Sequence, residues 1–247
     1  MFLAFSLSEG QLTGVKPTVL LFDVDGTLVT TSGAGRRAVE RAFELRHGTK
    51  EVLTYSFGGM TDKAIVRNAL LALDRPFASE SDLEREIEET LQFYLQVLAE
   101  EVAQTPIRIH DGMERALDQA EARPWVALGL GTGNIRKGAE IKLGRVGIFH
   151  RFSFGGFGDD SIDRPTLLMA GACRGAAKLG VPIEDCRIVI IGDTPKDIAG
   201  AKAIGADSIA VATGMCDIAE LKECDPTAAF ETLADPRADA VLFGRSL

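Results

Sequence analysis

LLFDVDGTLV, residues 20–29, drives an apolar run into two aspartates one residue apart, Asp23 and Asp25, with Gly26 and Thr27 following at once. A short apolar run bounded by turn residues has the pattern of a buried strand. Two like charges at the end of such a strand repel each other and lose solvation unless something positive lies between them. Asp-Gly is also a common turn pair, so these ten residues alone leave a surface turn open. The ends of the other strands decide between the two.

TVLLFDVD (18–25) is the first expected strand, WVALGLGTGN (125–134) the second, RIVIIGDTPKD (187–197) the third and DSIAVATG (207–214) the fourth. Helical patterns alternate with them: IRKGAEIKL follows the second strand, PTLLMAGACRGAAKLG precedes the third and PKDIAGAKAIGA follows it. Buried strands alternating with helices predict an α/β fold, a parallel sheet with helices on both faces. The stretch from about 34 to 104 is different, being helical throughout. Its first segment carries Ala38, Val39, Ala42 and Phe43 on one face and stops at Gly48, and its second carries Ile65, Ala69, Ala72 and Leu73. A third begins at Ser81, with Glu84 completing a capping-box pattern, and lines up Leu83, Ile87, Leu91, Tyr94 and Leu98. A helical insert of roughly seventy residues thus interrupts the sheet between its first and second strands.

The chain has 247 residues, 46% of them hydrophobic and 26% charged, enough to bury one large core or two modest ones. Lys and Arg total 27 against 36 Asp and Glu, a net charge of -9 that disfavours a nucleic-acid partner but admits a small anion met by a local cation. Cys173, Cys186, Cys216 and Cys224 form no CxxC pair, and His47, His110 and His150 are scattered, so no zinc site is expected. The cysteines read as reduced fillers of a cytoplasmic protein. MFLAFSLSEG lacks basic residues ahead of its apolar run and is too short to span a bilayer; it reads as a loose extension, and no membrane partner is expected.

In an open parallel sheet the loops at the carboxyl ends of the strands converge on one crevice. Three strand ends would then bring together Asp23 and Asp25, then Thr132, Gly133 and Asn134, then Asp193 and Asp197. Four carboxylates in one crevice call for a cation, and Mg2+ fits because it prefers oxygen ligands and keeps waters that a phosphate oxygen can replace. Asp23 at the strand tip is placed to attack phosphorus, and Asp25 to protonate the leaving oxygen and later take a proton from water. Gly26 permits a sharp turn close to the phosphate, and the Thr132–Asn134 loop offers donors to it. Asp193 would hold the metal, with Asp197 as a further ligand or as an orienting group.

DVDGTLV, a strand ending in GTGN, and IIGDTPKD resemble three of the four motifs of the haloacid dehalogenase superfamily, and the resemblance spans about 16–215. It implies a Rossmann-like catalytic core (16–30 and 108–247), a helical cap domain (31–107) and an N-terminal extension (1–15). It implies a phosphatase similar to the phosphoglycolate phosphatase branch, acting on a small phosphorylated substrate. Asp23 would be the nucleophile, and Asp25 the acid/base whose backbone carbonyl meets Mg2+. Thr132 would bind phosphate with Gly26, Thr27, Gly133 and Asn134 around it, and Asp193 and Asp197 would complete the metal site. The family's usual lysine before the last motif is replaced by Arg164 in SIDRPTLL; Arg164 keeps the charge and can clamp a phosphate bidentately, with Lys142 as the fallback.

Other chemistries on this scaffold remain in view. A dehalogenase would normally lack Asp25, and a phosphonate hydrolase would need a cap lysine, for which Lys63 is the one candidate. A phosphomutase shares all the core residues, and a non-catalytic binding module would not need every acidic position filled. Within the insert, SFGGMTDKAI (56–65) either meets the far end of the substrate or is a plain interhelical loop. Arg36, Arg37, Lys63 and Arg67 either attract an anion or form a solvated face.

Overall fold

The structure, a computed structural model, describes residues 15–244. The expected extension therefore lies, but for Val15, outside the described residues. The chain runs through β1 (Thr18–Phe22), β2 (Val29–Thr30), α1 (Ala34–His47), α2 (Asp62–Leu71), α3 (Glu80–Gln104), β3 (Arg108–Ile109) and α4 (Met113–Glu121). It continues through β4 (Val126–Gly131), α5 (Arg136–Arg145), β5 (Gly155–Gly156), α6 (Arg164–Leu179), β6 (Arg187–Gly192) and α7 (Pro195–Ala203). Last come β7 (Asp207–Val211), α8 (Ile218–Glu223), β8 (Ala228–Phe230) and α9 (Ala238–Leu242).

Six strands form one parallel sheet in the order β5-β4-β1-β6-β7-β8. The chain steps outward from β1 to β4 and β5, then returns to the other side of β1 for β6, β7 and β8. That reversal opens a crevice at the carboxyl end of β1. Register aligns the strand tips there: Phe22 pairs with Leu130 of β4 and Ile191 of β6. Alternation along β1 sends Leu20 and Phe22 into a core shared with α4, α5 and α9, and Val19 and Leu21 into another beneath α6 and α7. A strand buried on both faces has to be apolar throughout, as TVLLF is.

The expected strands are real but end earlier than the motifs do. Asp23, Asp25 and Asp193 lie just beyond the ends of β1 and β6, and Asp197 lies in the first turn of α7. Two strands are invisible to periodicity: β5 is a Gly-Gly pair and β8 three residues long. A short antiparallel ribbon of β2 and β3 is likewise too brief to carry a pattern; it pairs Val29 with Ile109 and Thr30 with Arg108.

Helices α1, α2 and α3 pack on one another around Phe43, Leu70, Tyr94 and Leu98, a core of their own that Ile135 of the sheet part also enters. Gly48 stops α1 as its position predicts. Helix α2 ends before Ala72 and Leu73, so Val66 and Leu70 join Ile65 and Ala69 on its buried face instead. Helix α3 starts earlier than Ser81: the Ser79 hydroxyl accepts from the Asp82 amide and caps it, and no box with Glu84 forms. Its five expected apolar residues are all buried. No helix among the described residues is long and apolar enough to cross a membrane, and the four cysteines are unpaired.

Candidate active site

Immediately after β1 the backbone folds into a tight loop, with Gly26 N donating to Val29 O and Val29 N to Val24 O. Gly26 has φ +81°, and a Cβ there would collide with the Asp193 carboxylate. A glycine at this position therefore lets the two acidic loops touch. Asp23, Asp193 and Asp197 bring one carboxylate oxygen each within 4.8 Å of one another, and all three are buried.

Arg164, opening α6, reaches this cluster from the side. Its Nη2 lies 3.3 Å from Asp23 Oδ2 and also bonds Asp197 Oδ1. The other oxygen of Asp197 accepts from the Thr194 amide (3.0 Å) and hydroxyl (2.6 Å), closing a capping box at the start of α7. Both Asp197 oxygens are thus engaged, so Asp197 anchors Arg164 and is not a free ligand. Asp193 is held through Oδ1 by the Thr27 hydroxyl, 2.9 Å away. Thr27 is fully buried and faces Asp193, where the sequence reading had placed it at a phosphate.

Asp25 lies two residues from Asp23 in opposite surroundings. Lys142 Nζ donates to its Oδ2 at 2.6 Å, Asn134 Nδ2 donates to the same oxygen at 2.9 Å, and Thr31 Oγ1 donates to Oδ1 at 3.1 Å. Lys142 also donates to Asn134 Oδ1, and Asn134 Nδ2 to Thr132 Oγ1, so one network ties the loop after β4 to Asp25. Thr132 is fully buried, while Gly133 and Asn134 line the cavity. With its carboxylate so engaged, Asp25 has only its backbone carbonyl to offer a metal. Arg164 and Lys142 therefore both belong to the site: one serves the cluster, the other the outer aspartate.

The electrostatics follow this division. Burial pushes Asp23 up, against Arg164, and Asp197 adds to the rise. Asp193 is raised by burial and then by Asp197 and Asp23. Burial also disfavours the Asp25 carboxylate, yet Lys142 outweighs it and holds Asp25 below its usual value. Three clustered carboxylates sharing one guanidinium form a group that a divalent cation could join. Oxygen-only donors suit Mg2+, with Asp23, Asp193 and the Asp25 carbonyl as the free ligands. The Nε of Arg164 is buried without a partner and is a donor in waiting for an anion.

The insert closes over the site through residues 57–62. Asp62 N donates to Gly133 O (2.9 Å), and Asp62 Oδ2 accepts from Ile135 N (2.9 Å) at the head of α5, which has no cap of its own. A Cβ on Gly133 would strike the Met60 carbonyl. The sequence reading took Thr61 as a helix start, which it is, and missed the bridge made by Asp62. Tyr94, expected only as core, also lines the cavity. The four insert cations weighed above as an anion-attracting face have other partners: Arg36 on Glu40 and the carbonyls of Leu53 and Tyr55, Arg37 on Glu101, Lys63 near Glu84 and Arg67 on Glu80. None is free to draw in an anion.

A family model described as haloacid dehalogenase-like hydrolase matches residues 17–205. No curated protein matches the chain. Among solved structures, a hydrolase from Pseudomonas syringae is 22% identical with a TM-score of 0.61, covering 88% of this chain and 95% of its own. CbbY from Rhodobacter sphaeroides, in complex with phosphate, is 19% identical with a TM-score of 0.66, covering 90% and 96%. A structure described as a predicted phosphoglycolate phosphatase from Haemophilus somnus is 20% identical with a TM-score of 0.62, covering 89% and 96%. At these identities the likeness is one of fold.

Proposed function

This chain belongs to the haloacid dehalogenase-like hydrolase family, and from that premise we propose that it is a Mg2+-dependent phosphomonoesterase working through an aspartyl-phosphate on Asp23. The observation that carries this reading is the pairing of two aspartates, two residues apart, in opposite environments. Asp23 faces Asp193 and a guanidinium, and Asp25 sits beside an ammonium. The substrate is read as a small phosphorylated metabolite. Residues 31–107 are read as a cap over a core of 16–30 and 108–247.

Bound Mg2+ would supply charge neutralisation between the phosphoryl oxygens and the carboxylates of Asp23 and Asp193. Asp23 attacks phosphorus, forming an acyl phosphate as the ester oxygen departs. Arg164 orients Asp23 and, through its free Nε, pairs with a phosphoryl oxygen; the amide of Gly133 donates to another. Asp25 at rest is ionised, which suits the second half-reaction, where it takes a proton from the water that hydrolyses the acyl phosphate. For the first half-reaction it must hold a proton. A phosphoryl dianion bound alongside raises its affinity for one, against Lys142, and that proton goes to the leaving oxygen. Asp62 and the closed loop 57–62 keep bulk water from the phosphate loop.

Phosphate release across a panel of small phosphomonoesters, with Mg2+ and with the metal chelated, tests the reading beside Asp23→Asn. Metal-dependent release is expected, lowered by about a thousandfold or more in the variant, which lacks the nucleophilic oxygen. A variant that keeps most of the activity would refute the mechanism. Isomerised ester in place of free phosphate would make the enzyme a mutase.

A further inference from the structure

Resting on the phosphomonoesterase reading, the cavity beyond the carboxylates restricts what the alcohol half of the ester can be. It measures about 700 Å³, far more than a phosphoryl group needs. The insert contributes Val39, Met60, Ile65 and Tyr94 to its wall, and Met215, 90% exposed, stands at its edge. Most of this surface is apolar.

Three of its four lining cations are already engaged. Lys142 serves Asp25 and Asn134, Arg164 serves Asp23 and Asp197, and Arg36 serves Glu40 and two backbone carbonyls. Lys196 alone among the lining cations has no ion-pair partner among the described residues, and it is exposed to solvent with its stem against Gly59. Beneath the insert the charge is of the other sign. Burial, and then the negative charges of Asp62 and Asp25, hold the Tyr94 phenol well above its usual value and so in its protonated, donating form. Tyr94 is 1% exposed, lines the cavity, and its hydroxyl has no hydrogen-bond partner among the described residues. A hydroxyl that lines the cavity can pair with a hydroxyl of the ligand. A carboxylate beside Tyr94 would meet the negative charges of Asp62 and Asp25, where Lys142 is already bonded to Asp25.

We infer that the alcohol half of the substrate is an uncharged polyol or sugar, with its apolar face on Val39 and Ile65 and a hydroxyl paired to Tyr94, and that carboxylate-bearing esters are discriminated against. A site that offers a buried partner to a hydroxyl rejects analogues that lack one.

The test compares kcat/KM for a polyol phosphate, a hexose phosphate, phosphoglycolate and p-nitrophenyl phosphate in the wild type and in Tyr94→Phe. The hydroxylated esters are expected to exceed phosphoglycolate by about tenfold or more, the difference a single buried hydrogen bond makes. Tyr94→Phe is expected to lower the ratio of hydroxylated ester to p-nitrophenyl phosphate by a similar factor, mainly through KM. Preference for phosphoglycolate, or an unchanged ratio in the variant, overturns the inference and leaves the phosphomonoesterase reading standing. No metal-dependent hydrolysis of any of the four, p-nitrophenyl phosphate included, removes that reading and this inference with it. Should the variant fail to fold, the order of the esters in the wild type decides.

Discussion

Arg164 holds Asp23 and Asp197 with one guanidinium nitrogen and keeps its Nε free and buried. Arg164→Ala would leave Asp197 buried beside Asp23 with no cation between them, and turnover is expected to fall by at least a hundredfold. Arg164→Lys restores the charge without the planar fork, so partial recovery, to within about tenfold of wild type, is expected in phosphate-release assays. Equal activity in both variants would mean that charge alone is irrelevant at this position. The sequence offers Arg164 and Lys142 as alternatives, because a string of letters shows charge but not reach. Lys142 lies on the second turn of α5 and reaches back to Asn134 in the loop before that helix. Asp23, Asp25 and Asp193 were legible because strand end, turn and charge coincide at them. The bond from Thr27 to Asp193 was not legible, because nothing local says that its hydroxyl turns to a residue 166 positions away.

Helix α5 begins without a side-chain cap from its own segment, and the carboxylate of Asp62 on α2 supplies one. The phosphate loop is thereby braced from the insert. Asp62→Ala would free the Ile135 amide and loosen Gly133 and Asn134, while Asp62→Asn keeps an acceptor in place. We expect inhibition by inorganic phosphate to weaken about fivefold to tenfold in the alanine variant, consistent with the loss of one cap, and to recover in the asparagine variant. Identical inhibition in all three proteins would show that the brace does not matter. Several long elements with buried faces were readable from the sequence, as β1, β6 and α3 illustrate, although α4 was not. Those of two or three residues were not: the Gly155–Gly156 strand exists because its neighbour β4 offers free backbone groups, and no property of glycine announces that. For the same reason the ends of α2 and α3 slipped by a few residues, Ser79 and Ser81 being equally good caps on paper.

Across the whole molecule, three buried carboxylates are raised by burial, Asp23 and Asp62 to about 6 and Asp193 to about 8. Each binds a proton more tightly folded than unfolded, so each stabilises the fold while protonated. Stability of the metal-free protein is therefore expected to fall as pH rises from about 4 to about 8. Groups held low, such as Asp25 and Asp160, act the opposite way only below that window. Mg2+ bound as proposed would displace the protons of Asp23 and Asp193, so it should raise the melting temperature clearly at pH 8 and little at pH 5, as differential scanning fluorimetry would show. A shift of equal size at both values would place the ion away from Asp23 and Asp193. The two-sided core of the sheet and the helical character of the insert were both legible, since each is written in many residues at one period. The contact between them was not, because Met60, Asp62 and Gly133 meet through backbone atoms that leave no trace in hydropathy.

The β2–β3 ribbon has a consequence for how freely this molecule can be cut. Thr30 and Arg108 face each other across it, so the chain departs for the helices and comes home at a single doorway. A two-residue Asn-Gly turn can bridge such a pair, making the hairpin that the long excursion replaces. A protein in which Asn-Gly stands in place of residues 31–107 is expected to keep the six parallel strands and to melt cooperatively by circular dichroism, though less stably, because Ile135 loses its cover. Non-cooperative melting would instead make the helices a partner in folding the sheet. On this topology the helices are an exchangeable attachment: another loop of any length could be grafted at the doorway without rethreading a single strand.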